Sequence, residues 1–453
     1  MAIVKGIPYG VAKFEEVRNE GLYYVDKTMY LPLLEETGNF LFLIRPRRFG
    51  KSLFVTMMQC YYDSALSDRF DILFDDLWIK AHPTPGRNAY QLIYFDFSKA
   101  NLGRGTLEEN LDEYIAIVLD GFINRYADSY SLEFVREVRA AESAGKKLKL
   151  IDREAHMKGY PLYLIIDEYD NFTNVILSEQ GKDVFKNLTH ASGFYREYFK
   201  MFKAMFSRVF LIGVSPVTLD DLSSGYNIDW NISQDPRFNA MLGFSDSDVR
   251  TMFQYYKTQG KLRPDADIEA MIEEMRPWYN NYCFAKQCLS EERLFNCDMV
   301  LYYLRNQVLY GIRPDDMVDK NVRTDYSKLK MLAEIDQGAK REQRMSVIEE
   351  IAATGEVKMN LRTSFPAEYI ADEDNFRSLI YYYGMLTMGS MDWGELKMVI
   401  PNNCVREQYW GFMRRFYGRF AEMDFSSLRT YMKSMAKDGD WRPFIEMYCQ
   451  GIP

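Results

Sequence analysis

Four short apolar runs punctuate the first half of the chain: FLFLI at 40–44, YQLIYFDFS at 90–98, YPLYLIIDEYD at 160–170 and RVFLIGVSPV at 208–217. Each is bounded by Gly, Pro or charge and is too short for a buried helix, so each reads as a strand covered on both faces. Between them the period lengthens. In KSLFVTMMQCYYDSAL (51–66), Leu53, Met57 and Tyr61 fall on one helix face, and TLEENLDEYIAIVLDGFINRYA (106–127) and EYFKMFKAMF are amphipathic at the same spacing. Strands alternating with helices predict an α/β layer with a mainly parallel sheet.

The pattern changes near residue 230. DSDVRTMFQYYKTQ, DIEAMIEEMRPWYNNY and CDMVLYYLRNQVLYG are helical, and strand signals largely stop. They return once, as two apolar runs about a GSMDWGE turn within 385–401, with the helical segments NFRSLIYYYG and REQYWGFMRRFYGRFAEM on either side. This predicts a hairpin in a winged-helix-like setting. The expected organisation is a lead-in over 1–35, carrying a short helix at MYLPLLEE, an α/β core over 36–230, a helical lid over 231–325, and a mostly helical C-terminal region over 326–453. A length of 453 residues is compatible with about three domains.

Composition narrows the classes. With 47% hydrophobic and 27% charged residues the chain is a folding one, and its net charge of −9 weighs against a surface that binds nucleic acid everywhere. The six cysteines lack C-x-x-C spacing and the three histidines are far apart, which argues against a zinc site and for thiols in a reducing compartment. No apolar run reaches the roughly 18 residues of a membrane span, and the first 20 residues lack a signal-peptide core. The expectation is a cytoplasmic protein with no membrane partner.

The chemistry concentrates where the first strand ends. RPRRFGKS (45–52) leads from that strand into a helix. A Gly-Lys-Ser there suits a loop whose N–H groups wrap phosphate, with Lys51 reaching the β/γ-phosphates and the Ser52 hydroxyl on Mg2+. The full pattern wants glycine five residues before Gly50, where this chain has Arg45; Arg45 gives up the freedom of positive φ, and Pro46 stiffens the turn. Arg45, Arg47 and Arg48 are candidates to carry positive charge to phosphate, with at least one expected beside it. Phe49 and Leu53 complete the candidate loop. The third run, LIIDE, ends in Asp167 and Glu168, suited respectively to Mg2+ and to orienting the attacking water. The fourth strand, expected between these two, ends in Ser215, a candidate γ-phosphate sensor. Together these features predict a P-loop nucleotide-binding core, since ligands of open α/β sheets bind at the carboxyl ends of strands.

Longer stretches carry a resemblance. GIPYGVAKFEEVRNEGLYYVDKTMYLPLLEE, FLIRPRRFGKSLF, YLIIDEYDNFTN, LIGVSPVTLDDLSSGYNI and RLFNCDMVLYYL resemble the AAA-ATPase-like proteins of bacteria, chiefly gut anaerobes, which often end in a PD-(D/E)XK nuclease-like domain. The likeness extends more loosely through NVRTDYSKLK and LIYYYGMLTM. It implies that an Arg at the first loop position is ordinary, that ATP and Mg2+ are the ligands, and that Tyr24, Asp26 and Lys27 of YYVDKT lie near the base or ribose. The nuclease part is not recognisable: the one E-x-K, Glu395 with Lys397, sits in the predicted hairpin with Asp392 too close and Pro314-Asp315 too far. The chain is expected to be either a shortened or a nuclease-free member.

Three functions follow as expectations. The first is a Mg-dependent ATPase acting as a switch or motor of a larger assembly. The second is a nucleotide-binding regulatory scaffold with negligible turnover. The third is a module that binds DNA, resting on the winged-helix-like hairpin and on the basic stretch GKKLKLIDREAHMKG (145–159), which itself reads more readily as a solvated loop. A protein or a nucleic acid is the candidate partner.

Overall fold

The computed structural model describes residues 4–100, 106–171, 193–216, 230–319, 340–366, 369–370, 372–417 and 425–450. The motif segments FTN, VTLDDLSSGYNI and NVRTDYSKLK lie outside them.

Each apolar run forms a strand: β1 (Phe40–Ile44), β2 (Gln91–Asp96), β3 (Leu162–Asp167) and β4 (Arg208–Gly213). With the two-residue β5 (Trp230–Asn231) they make one parallel sheet in the order β2-β3-β4-β1-β5. β3 is buried at every position, as expected of a strand covered on both faces. The chain leaves β1, crosses two strand positions to β2, and returns through β3 and β4 to β1. The register aligns Ile44 with Gly213 and Asp167 with Ile212, so β1 and β3 end on either side of β4. That is the crevice where a sheet of this kind accepts a ligand.

Close packing locks this edge. Asp170, just past β3, is buried and accepts from the N–H groups of Val214 and Ser215, and the Tyr169 hydroxyl donates to the Ser215 carbonyl. Burial raises the Asp170 pKa, and the two N–H donors oppose the rise. Gly213 leaves room for both side chains; a Cβ there would lie 2.2 Å from Tyr169 Cε1 and 2.3 Å from Asp170 Oδ1.

The helix Leu107–Arg125 starts at a capping box made by Thr106 and Glu109. The stretch at 145–159 corrects the sequence reading. It is a helix, Ala144–Lys158, not a loop: Ser143 caps it, Leu148, Ile151 and Ala155 face the core, and buried Lys147 pairs with Asp120 at 2.6 Å. A lysine spent on a neighbouring carboxylate is not part of an exposed basic face.

Three helices, Asp246–Thr258, Ile268–Tyr279 and Cys297–Tyr310, build a second apolar core around Val249, Phe253, Ile272, Met275, Val300 and Leu304. The lead-in straddles both cores. Its Tyr9, Tyr23 and Val25 pack on the helical one, while Phe14 belongs to the sheet. Beyond, the helix Lys340–Thr354, β6 (Glu356–Met359), the helix Glu373–Tyr382, β7 (Thr387–Asp392), β8 (Glu395–Val399) and the helix Asn403–Tyr417 follow in turn. Their antiparallel sheet has the order β6-β8-β7. The β7–β8 turn is Trp393-Gly394, with φ of 50° and 87°, the double positive φ of a tight hairpin turn. Ile348, Leu379, Met388, Met398 and Tyr409 of this region join the same apolar cluster as the parallel sheet. Lys397 of the E-x-K pairs with Glu356 at 2.6 Å. Among the described residues no cluster of three or more His, Cys, Asp or Glu could hold a metal, and no helix is long and apolar enough to cross a membrane.

The packing at Gly213 generates a paired test. Gly213→Ala forces Tyr169 or Asp170 to move and should lower stability by about 1–3 kcal/mol, the usual cost of overpacking. Gly121, in the exposed part of the helix Leu107–Arg125, has nothing within 4 Å of an added Cβ. Gly121→Ala should therefore stabilise by about 0.5–1 kcal/mol. Urea unfolding of both variants checks the opposite signs.

Candidate nucleotide site

After Ile44 the chain turns through Arg45–Gly50 and enters the helix Lys51–Tyr62. Two residues reverse the backbone: Arg48 at φ 68° and Gly50 at φ 85°. The helix begins because Phe54, Val55, Met57, Met58, Tyr61 and Tyr62 form a buried face; Leu53, expected on that face, is half-buried and lines a cavity instead.

Ser52, in the first turn, donates from Oγ to Asp167 Oδ2 at 2.8 Å. This ties the loop to the end of β3. Asp167 is 2% exposed, and burial pushes its carboxyl up to about 6, against the opposing pull of the Ser52 hydrogen bond and the Lys51 charge. Lys51 is also buried; its ammonium donates to the carbonyls of Arg45 at 3.1 Å and Pro46 at 2.9 Å. Burial lowers its pKa, and Asp167, Glu168 and Asp170 pull the other way. Glu168 has φ 50°, its N–H donates to Asp167 Oδ1, and its half-exposed side chain lines the cavity. The positive φ turns Glu168 off the path of the strand, so the two adjacent acids occupy different environments.

The cavity, about 400 Å³, lies over this loop, within the size range of small-molecule sites. Its floor is Arg47–Phe54 with Glu168; one wall is the lead-in, from Pro8 to Lys27; the other is the helical unit, including Met241, Phe244, Met252 and Leu301. The second wall is the part that sequence reasoning missed. Its residues, apolar except for Asp298, are scattered over 60 positions in sequence, and their local signals are the capped helix starts at Ser245 and Asn296.

Several expected residues are engaged elsewhere. Arg45 is 1% exposed and does not line the cavity. Its guanidinium donates to the carbonyls of Ile44 (2.9 Å), Ser233 (2.7 Å) and Phe238 (3.0 Å), and it lies 4.3 Å from the centre of the Phe284 ring. Burial pulls its pKa down to about 10. Of the three loop arginines, then, only Arg47 and Arg48 reach the cavity. Arg48 pairs with Asp298 of the helical unit at 2.6 Å. Phe49 sits edge-on to Tyr282 and Phe284, and Pro46 packs on Gly384 so closely that a Cβ there would lie 2.7 Å from Pro46 Cβ. Tyr24 and Lys27 line the cavity, but the Lys27 ammonium is held by Asp248 at 2.7 Å and by the Ala240 carbonyl. Asp26 departs from the expectation altogether. It accepts from Thr28 N–H and Oγ1 and from Trp78 N–H, a turn-fixing role away from the cavity. Ser215 lies two residues past the end of β4, the strand between β1 and β3, and it is fully buried with its side chain hydrogen-bonded to Tyr383, so it is not a group facing the cavity.

Comparison with known proteins bears on the same span. Residues 8–223 match a family model described as "Predicted AAA-ATPase". An uncharacterized protein in the vnfD 5′ region of Azotobacter chroococcum mcd 1 is 29% identical over 295 residues, 61% of this chain and 48% of that protein; the match spans about half the relative's length. Among solved structures, the Aeropyrum pernix ORC2 protein in ADPNP–ADP complexes is similar at a TM-score of 0.35 and 12% identity, covering 86% of this chain and 93% of that one. The Aeropyrum pernix ORC1 protein in complex with DNA is similar at 0.31 and 10%, covering 86% and 94%. The Gly-Lys-Ser loop and the Asp167-Glu168 strand end both fall inside residues 8–223, the span over which this chain matches that family model.

Proposed function

We propose that the chain is a Mg-dependent ATPase module in which nucleotide occupies the cavity between the sheet edge, the lead-in and the helical unit, which acts as a lid. The observation that carries this is the Ser52–Asp167 hydrogen bond at 2.8 Å, made directly beneath that cavity by a Gly-Lys-Ser helix start and an acidic strand end. A hydroxyl and a single carboxylate suit Mg2+, which keeps several waters and takes its remaining ligands from substrate phosphates rather than from an all-protein cage. Bound there, the ion would neutralise charge on the phosphates. Ser52 and Asp167 would hold it, and the helix N-terminus with Gly50 would present N–H groups to phosphate.

The protein's own groups supply the rest. Lys51 would exchange two carbonyl partners for phosphate oxygens, a stronger charge-assisted pairing. Arg47 and Arg48, and not Arg45, carry the loop's positive charge toward the phosphates. Glu168, turned off the strand, would accept the proton of the attacking water. The apolar lid wall suits a base and excludes solvent from the reacting end. Coupling of nucleotide state to lid position is the proposed switch, and a protein or nucleic-acid partner would read it.

Lys51→Ala should abolish the stabilisation given by Mg·ATP. A ligand binding only the native state raises stability by about 2.7 kcal/mol at a hundredfold excess over Kd, so thermal melts with and without Mg·ATP separate parent from variant. An equal rise in both would overturn the loop assignment.

The two acids should behave differently. Glu168→Gln should bind Mg·ATP nearly as the parent does and lose turnover by about 10²-fold; hydrolysis at the parent rate would remove Glu168 from the role, and a parent without turnover would favour a binding scaffold. Asp167 carries a pH signature. Its folded pKa is about 6 against an ordinary 3.8, so its ionised form is disfavoured by the fold. The penalty is absent below about pH 4, grows between 4 and 6, and is complete above 6. In ligand-free protein Asp167→Asn should therefore be more stable than the parent at pH 8, by up to about 3 kcal/mol, with the gain shrinking as pH falls toward 4. Guanidinium unfolding at several pH values measures this. A loss of stability at pH 8 would mean that Asp167 is a strand cap rather than a carboxylate held ready for a cation.

A further inference from the structure

Two ion pairs cross from the lead-in and loop to the lid, and both land on helix N-termini. Lys27 meets Asp248 in the first turn of the helix Asp246–Thr258, and Arg48 meets Asp298 in the first turn of the helix Cys297–Tyr310. The second pair differs from the first in that both of its partners line the cavity. Among the described residues of the lid wall (Met241, Leu242, Gly243, Phe244, Met252, Cys297, Leu301), Asp298 is the one charged side chain. The facing floor carries Arg47, Arg48 and Lys51. The lid therefore offers a negative charge, and no Lys or Arg, to a space whose floor is positive.

We infer that Asp298 is a positioning residue that reports phosphate to the lid: it holds Arg48 when phosphate is absent and loses it to a bound polyphosphate. This rests on the ATP site proposed above and adds how occupancy of that site reaches the lid. A polyphosphate in the cavity and the Asp298 carboxylate compete for one guanidinium, and they repel each other. Arg48 stands in a backbone of φ 68° on the loop itself, with its side chain 24% exposed and that of Asp298 22% exposed, so neither partner is sealed in place. When Arg48 turns to phosphate, the helix Cys297–Tyr310 loses a tether to the loop. When phosphate leaves, the pair re-forms and draws that helix back. Arg48 thus acts on the lid through Asp298.

A double-mutant cycle tests this on the full chain with Mg·ATP titrated calorimetrically. Asp298→Asn removes the competitor but keeps the helix start, and should tighten ATP binding about 5- to 10-fold. Arg48→Asn, chosen because asparagine tolerates a left-handed backbone, should weaken it about 10-fold or more. In the double variant the gain from Asp298→Asn should vanish, because nothing is left to compete for. Hydrogen exchange across 297–310 should rise on ATP binding in the parent and be already raised in ligand-free Asp298→Asn; a melting temperature within a few degrees of the parent's shows the variants are folded. ATP binding by Asp298→Asn that is unchanged or weaker would overturn the proposal, as would a gain that persists without Arg48, which would indicate general repulsion. If the parent binds ATP and the cycle is flat, the ATP reading stands and the reporter role falls. If the parent binds no ATP, both fall together.

Discussion

A buried guanidinium is the constraint around which the site is arranged. Arg45 occupies the first position of the loop after β1, where glycine would leave the backbone free, and it is sealed beneath that loop. A charge taken out of water needs several partners to be tolerated, and Arg45 finds them in the carbonyls of Ile44, Ser233 and Phe238 and in the face of Phe284. Those partners come from β1, from the segment after β5 and from the edge of the helical unit. One side chain thereby fixes the loop's exit from the sheet, the course of the chain beyond β5 and the seat of the helical unit. With that base set, Gly50 and Arg48 can take positive φ and Ser52 can meet Asp167.

Much of this was legible in the chain. The apolar runs gave the four long strands because β strands covered on both faces leave no polar alternation to confuse with a helix, and the Gly-Lys-Ser and Ile-Asp-Glu segments stood at strand ends on opposite sides of the crevice. What was not legible depended on distant partners. The sequence around Arg45 says that a charge lies near a loop; whether it faces phosphate or the interior is decided by Ser233, Phe238 and Phe284, almost 190 positions and more away. Ser215 looked like an exposed strand end but is capped by a tyrosine from the C-terminal region. The basic stretch 145–159 concealed Leu148, Ile151 and Ala155, whose spacing was a helix signal available from the start. β5, two residues long, carries too little pattern to be seen at all.

The unit after β5 was recognisable as helical but not as acidic toward the loop. Its first-turn aspartates are what helix starts favour on dipole grounds alone, so Asp248 and Asp298 look unremarkable in sequence. Their meeting with Lys27 and Arg48 turns a local preference into an inter-unit contact. An acid selected to begin a helix and an acid selected to face a cationic loop are the same residue here, and only the tertiary arrangement separates the two roles.

The tyrosines behind the loop have a consequence for how the chain can be divided. Tyr381, Tyr382 and Tyr383 are buried, the first two bear electrostatically on Arg45, and Gly384 lies against Pro46. The helix Glu373–Tyr382, with Tyr383 just past its end, belongs to the C-terminal region, far from the loop after β1 in sequence, yet it closes that loop's rear surface. A chain cut after the helical unit would keep every described residue that lines the cavity and still bare the buried Arg45 to water on one side. In evolutionary terms the C-terminal region is not a part that can be exchanged freely behind a fixed core. Any replacement would have to supply the same aromatic backing to the loop, so the two parts are bound to change together.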